Sequence, residues 1–205
     1  MSDRILSLQD SSISIVAEAI SNGSVCVFPT DTLYAISAVC NNDQSIERLI
    51  KIKERSTART LPILVNGIEM AKKYVEFSEE AEKLAAKYWP GALTLVLPAK
   101  ADAKISEYCI KEGMIAVRMP NCTAALDIIS IVGAGVVGTS ANLSGDNNLA
   151  HAQDISDSLS SEVEYILEDD LNQLSLKAST IIKFDNKQLV VIRQGDLDIE
   201  IIEQS

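Results

Sequence analysis

Short apolar runs alternate along the chain with segments whose apolar residues recur at helical spacing. Ile13, Val16, Ala17 and Ile20 share one face of a helix over 13–20, and Asn22-Gly23 ends it before an apolar strand at 24–28. Asp43 is placed to cap a second helix, with Ile46, Leu49 and Ile50 on its buried face. A strand follows over 61–65, and then a helix from about Ser78 to Tyr88. That helix has Glu79, Glu80 and Glu82 in its first turns and Lys83 and Lys87 in its last, matching the helix dipole. Trp89-Pro90-Gly91 stops it.

Further strands are predicted at 93–97, 114–118 and 136–139, with a helix over 123–131 between the last two. Beyond a polar stretch after Gly145 come a helix near 154–161 and strands at 164–167, 179–184 and 189–193. The last two strands can pair as a hairpin across Asp185-Asn186-Lys187. This interleaving predicts an α/β or α+β sheet, with no internal repeat and no interdomain linker.

Several of these strands end in polar chemistry. Val25 to Phe28 stops at Pro29 and hands the chain to Thr30, Asp31 and Thr32, whose hydroxyls either reach a site or cap a proline turn. The strand at 136–139 runs into Gly138-Thr139-Ser140-Ala141-Asn142-Leu143-Ser144-Gly145, either a plain Asn-rich turn or a loop where glycines admit a ligand and Ser140, Asn142 and Ser144 offer short donors and acceptors. Arg118 and Arg193 each follow an apolar strand, and cationic strand ends on one side would make a pocket for an anion. Ser179 and Thr180 open another strand, where either hydroxyl serves the pocket or satisfies local backbone.

Charge sharpens this picture. The formal net charge is -11, and residues 146 to 205 carry 4 basic against 13 acidic side chains. Such a balance argues against a general nucleic-acid binder, which needs clustered Lys and Arg to neutralise phosphates. Within it, Arg48, Lys51, Lys53, Arg55 and Arg59 face only Glu54, a focused cationic segment that either suits a small polyanion such as a triphosphate or is a solvated basic helix end favoured by its own dipole. A chain of 205 residues with 47% hydrophobic content is expected to form one domain over 1–205. With no apolar run of membrane-spanning length and no secretory pattern at its start, it is expected in the cytoplasm. Cys26, Cys40, Cys109 and Cys122 lack metal-ligand spacing and read as reduced core thiols. The single histidine, His151, argues against a histidine zinc site and a Cys-His nucleophile pair.

Taken in order, Pro29-Thr30-Asp31-Thr32-Leu33-Tyr34, Lys53-Glu54-Arg55, Trp89-Pro90-Gly91-Ala92-Leu93-Thr94, Ala116-Val117-Arg118-Met119-Pro120, Ser140-Ala141-Asn142 with Ser144-Gly145, Ser179-Thr180 and Arg193-Gln194-Gly195 resemble the YrdC/TsaC family of threonylcarbamoyl-AMP synthases. The resemblance runs from about residue 12 to about residue 200. It implies a twisted mixed sheet flanked by helices around a large concave substrate cavity; an additional C-terminal domain, carried by some relatives, is not expected here. It also implies an enzyme that joins L-threonine, bicarbonate and ATP into threonylcarbamoyl-adenylate, releasing pyrophosphate, for threonylcarbamoyladenosine modification of tRNA beside the anticodon.

Carried over by position, Thr32, Arg118, the backbone at Gly138 and Ser179 resemble threonine contacts. Arg55, Arg59, Ser140, Asn142, Asn148 and Arg193 resemble ATP contacts, and Lys53 with Arg55 forms the signature assigned to catalysis. Mg2+ is implied as a companion of ATP, held mainly by phosphates and water. Product transfer to tRNA implies partners of the TsaD, TsaB and TsaE kind. Departures from the usual pattern stand at Ala35, Ser56, Asn121-Cys122 and Asn148. The rival reading is an RNA-binding module of the same fold, and the net charge speaks against it.

Overall fold

A computed structural model describes residues 4–53, 61–141, 151–155, 157–168, 174–185 and 188–198. Two mixed sheets, rather than one, form the frame. The first runs in the order β1 (Ile5–Leu6), β9 (Ile166–Leu167), β2 (Cys26–Phe28), β3 (Ala35–Ser37), β8 (Thr139–Ser140). The second runs β11 (Gln188–Arg193), β10 (Thr180–Asp185), β5 (Leu93–Pro98), β6 (Met114–Arg118), β4 (Ile63–Leu64), β7 (Val136–Val137).

Burial explains which predicted strands form. β2 is buried at every position and lies between parallel β9 and antiparallel β3, so its run is apolar rather than alternating. β6 spans the predicted 114–118, pairing antiparallel with β5 and parallel with β4. The predicted hairpin is present: β10 and β11 pair antiparallel, with Asp185 opposite Gln188.

The predicted strand 136–139 is divided. Gly138 separates β7, which pairs with β4, from β8, which pairs with β3, so the chain changes sheet at that glycine. Close packing requires it, because a Cβ on Gly138 would lie 2.5 Å from Cγ of Leu64. β1, β3 and the short helix α3 (Ile68–Ala71) have no counterpart in the sequence reading, since two to four residues are too few to show a period.

The helices follow their apolar faces. α1 (Asp10–Ser21) buries Ile13, Val16, Ala17 and Ile20 and packs against α5 (Thr123–Val132). α2 (Asp43–Ile52) is capped by Asn42, whose side chain accepts from the Ser45 amide; Asp43 is the first helical residue and not the cap. α4 (Glu79–Tyr88) is capped by Ser78, which accepts from the Ala81 amide. The predicted helix near 154–161 begins later, as α6 (Asp157–Glu162) after a 3-10 turn at Ala152–Asp154. All four cysteines are buried and free, as expected of core thiols. No described helix is long and apolar enough to cross a membrane.

Candidate active site

The turn after β2 is built by one threonine and offers the next. Thr30 Oγ1 accepts from the amides of Thr32 (3.1 Å) and Leu33 (3.2 Å) and donates to the Leu33 carbonyl (2.7 Å). Thr30 therefore caps its own turn, while Thr32 points its hydroxyl at a buried arginine. Of the two possibilities at this strand end, Thr30 realises the turn cap, and Thr32 is turned toward the arginine.

That arginine is Arg118, 5% exposed at the end of β6. Its Nε donates to the Gly91 carbonyl (2.9 Å) and its Nη1 to Thr32 Oγ1 (2.7 Å). Its Nη2 donates to Oδ1 of Asp31, forming an ion pair. Gly91 is held in turn by its amide, which donates to the Met119 carbonyl at 2.8 Å. Trp89-Pro90-Gly91 thus does more than stop a helix: it supplies an acceptor that aims the guanidinium.

A second cluster forms where β10 begins and β11 ends. Arg193 donates from Nε (3.1 Å) and Nη2 (2.8 Å) to the Ser179 carbonyl, and from Nη2 to Ser179 Oγ (3.3 Å). Ser179 Oγ also lies 2.8 Å from Thr94 Oγ1 on β5. The neighbouring Thr180 donates to the Leu197 carbonyl (2.6 Å) and accepts from the Gly195 amide (2.9 Å). Of that hydroxyl pair, Ser179 faces Thr94 and Arg193, and Thr180 satisfies the local backbone.

Electrostatics join the two clusters. Burial is the main influence on Arg118 and holds its pKa below the usual guanidinium value, with Asp31 the strongest opposing pull and Asp196 a further one. Arg193 is lowered by burial and then by the positive charge of Arg118. A guanidinium depressed by the charge of its neighbour marks a place that favours an added anion.

Lys53 caps the C-terminal end of α2, is 3% exposed, and donates from Nζ to the Ser140 carbonyl. The first residues of two sequence motifs, Lys53 and Ser140, therefore meet. Ser140 in turn sits opposite Ala35 across β3 and β8, next to the Ala141 amide that donates to the Tyr34 carbonyl at 2.8 Å. Within the cationic segment, the described Arg48 and Lys53 turn to different partners. Arg48 turns away to donate to the Glu162 carbonyl at 2.8 Å, while Lys53 is buried against β8. Gly138 has its amide committed to the Pro62 carbonyl (2.9 Å). Arg55, Arg59, Asn142 and Asn148 lie outside the described residues.

Asp31, Gly91 and Thr94 were not singled out by the sequence as site residues. Asp31 carried a signal nonetheless: it is an acid within the polar end of a buried strand. Gly91 acts through its backbone and Thr94 through a strand register, and neither is visible from residue type.

A family model described as Telomere recombination, Sua5_yciO_yrdC, matches residues 18–195. The threonylcarbamoyl-AMP synthase of Pyrococcus abyssi is 30% identical over 200 residues, covering 96% of this chain and 58% of its own length. That of Bacillus subtilis is 29% identical over 199 residues, covering 97% of this chain and 57% of its own. The chain thus spans less than three-fifths of either relative. The crystal structure of P. abyssi Sua5 complexed with L-threonine matches with a TM-score of 0.90 at 29% identity, over 98% of this chain and 60% of that one. E. coli YciO shares the fold, with a TM-score of 0.86 at 22% identity over 96% of this chain and 98% of that one. The order of the strand-end motifs, the fold that gathers them and the match over residues 18–195 agree: this chain belongs to the Sua5/YciO/YrdC family.

Proposed function

We propose that this chain is a threonylcarbamoyl-AMP synthase, a nucleotidyltransferase that joins L-threonine, bicarbonate and ATP into threonylcarbamoyl-adenylate and pyrophosphate for tRNA modification. The observation that carries the reading is the buried Arg118, aimed by Gly91 and Thr32 in a chain similar to a Sua5 crystallised with L-threonine. A guanidinium held by a carbonyl and a hydroxyl is pre-oriented for a carboxylate, so little ordering remains to be done on binding.

In this reading the threonine nitrogen takes up bicarbonate carbon with loss of water, giving a carbamate. The carbamate oxygen then attacks the α-phosphorus of ATP, and the bond to pyrophosphate breaks. The protein's part is alignment and charge neutralisation rather than a nucleophile. Lys53, drawn to the Ser140 carbonyl, would place the nucleotide-side motifs of residues 53–55 and 140–142 against one another.

Mg2+ enters this scheme with the triphosphate. Among the described residues no group of three His, Cys, Asp or Glu side chains could hold it, and an ion that keeps most of its hydration needs no such cage. Transfer of the adenylate to tRNA would be the work of partners of the TsaD, TsaB and TsaE kind.

Incubation with ATP, Mg2+, L-threonine and bicarbonate tests the assignment, with pyrophosphate and threonylcarbamoyl-AMP followed by mass spectrometry. The expected result is pyrophosphate release that depends on threonine. Release that is absent, or indifferent to threonine, would overturn it.

A further inference from the structure

The threonine reading gives Arg118 a substrate and leaves Asp31 without a task. The contact between them is one-sided: Arg118 meets the carboxylate through Nη2 alone, with Nη1 on Thr32 and Nε on Gly91. Asp31 answers through Oδ1 alone, and its Oδ2 makes no hydrogen bond among the described residues. An ion pair serving only to hold the fold at such depth is best satisfied by two parallel N–H···O bonds, and this one forgoes the second. The Asp31 side chain also keeps 16% exposure against 6% for Arg118, so the carboxylate lies at the more open edge of the pair.

Nor does the turn need that carboxylate. Thr30 Oγ1 closes it, and the Asp31 main chain is held through its carbonyl, which accepts from the Ser175 amide at 3.0 Å. What the side chain adds is a negative charge directly beside a cation that has two of roughly five N–H groups still to offer.

We propose that Asp31 and Arg118 together read the substrate as a zwitterion, with Arg118 receiving the carboxylate of a free α-amino acid and Oδ2 of Asp31 receiving its α-ammonium group. This rests on the reading that the chain binds L-threonine. The two charges of an α-amino acid sit on either side of a single carbon, and adjacent opposite charges on the protein complement them. A carboxylate without the amine faces Asp31 as a like charge and leaves Oδ2 unpaired, so it is disfavoured twice. Asp31 is then the residue that selects for an amine, and Arg118 the one that selects for an acid.

Isothermal titration calorimetry of the 205-residue chain with L-threonine and with 3-hydroxybutyrate tests this. The second ligand keeps the carboxylate and the hydroxyl and lacks the amine. The unaltered chain is expected to prefer threonine by about tenfold or more, the effect of one charge-assisted contact. In D31N that preference should largely vanish, with threonine weakened and 3-hydroxybutyrate unchanged or tighter. Equal weakening of both ligands would make Asp31 a mere support for Arg118 and overturn the inference, as would no change in either. If D31N does not fold, the unaltered chain decides alone: equal affinity for the two ligands overturns the inference. Absence of any threonine binding by the folded, unaltered chain would instead overturn the proposed function itself, and this inference with it.

Discussion

Arg118 is defined by three acceptors that come from two places in the chain: the Gly91 carbonyl, and the Thr32 hydroxyl and Asp31 carboxylate of the turn after β2. A lysine there would keep the charge and lose the fork that reaches all three. Arg118→Lys is therefore expected to weaken threonine binding by about 1.5 to 3 kcal/mol while leaving ATP binding nearly unchanged, as calorimetry with each ligand would show. Arg55→Ala is expected to do the reverse, because the family pattern puts Arg55 on the nucleotide side. Small, equal effects on both ligands would contradict that division. Removing Arg118 outright is a poorer experiment, since it strands Asp31 as a largely buried, unpaired charge and lowers stability as well.

At the scale of elements, the site depends on how strands begin and end. Arg193 reaches Ser179 because Gly195, two residues on, lets the chain press against the start of β10: its Cβ would lie 2.2 Å from the Ala178 carbonyl oxygen and 2.5 Å from that of Ser179. These are backbone atoms and cannot step aside. Gly195→Ala should destabilise the fold by about 1 to 3 kcal/mol in urea denaturation and loosen the Arg193 contact with it. Asn42→Ala should cost about 0.5 to 2 kcal/mol, because the Ser45 amide loses its acceptor; Asp43→Ala should cost less, since Asp43 lies within the helix. The second comparison separates the observed cap from the one expected on sequence grounds. Both Asn42 and Asp43 are residues that cap helices well, and only the backbone angles of Asn42, with φ at -123° and ψ at 103°, show where the helix begins.

For the whole molecule, the buried thiols set a limit on the alkaline side. Burial pushes Cys26 up to about 12 and Cys40 up to about 11 from an ordinary value of 9.0, and it raises Cys109 further. A raised thiol pKa favours the neutral form in the folded state. Its stabilising contribution is complete below pH 9.0 and is lost as pH climbs from there through the folded value, because the unfolded chain ionises first. Chemical denaturation midpoints should accordingly hold steady from about pH 7 to 8.5 and fall steeply above 9. Alkylation by iodoacetamide at pH 8 should be slow in the native protein and rapid after urea, since the thiolate is the reacting form and all four cysteines are buried.

The helical faces, most of the strands and the order of the polar strand ends are written in the sequence. Each of these is a local consequence of burial: Ile13, Val16, Ala17 and Ile20 recur because one face of α1 is covered, and β2 is apolar throughout because both its faces are. Motif order was legible for the same reason, since each motif is a strand end read within a few residues. That Asp31 lies against Arg118, 87 positions away, that Lys53 reaches Ser140, likewise 87 positions away, and that the run 136–140 is shared between two sheets emerges only in three dimensions. Such pairings depend on register, sheet order and the close approach of Gly138 to Leu64, and no window of neighbouring residues records them.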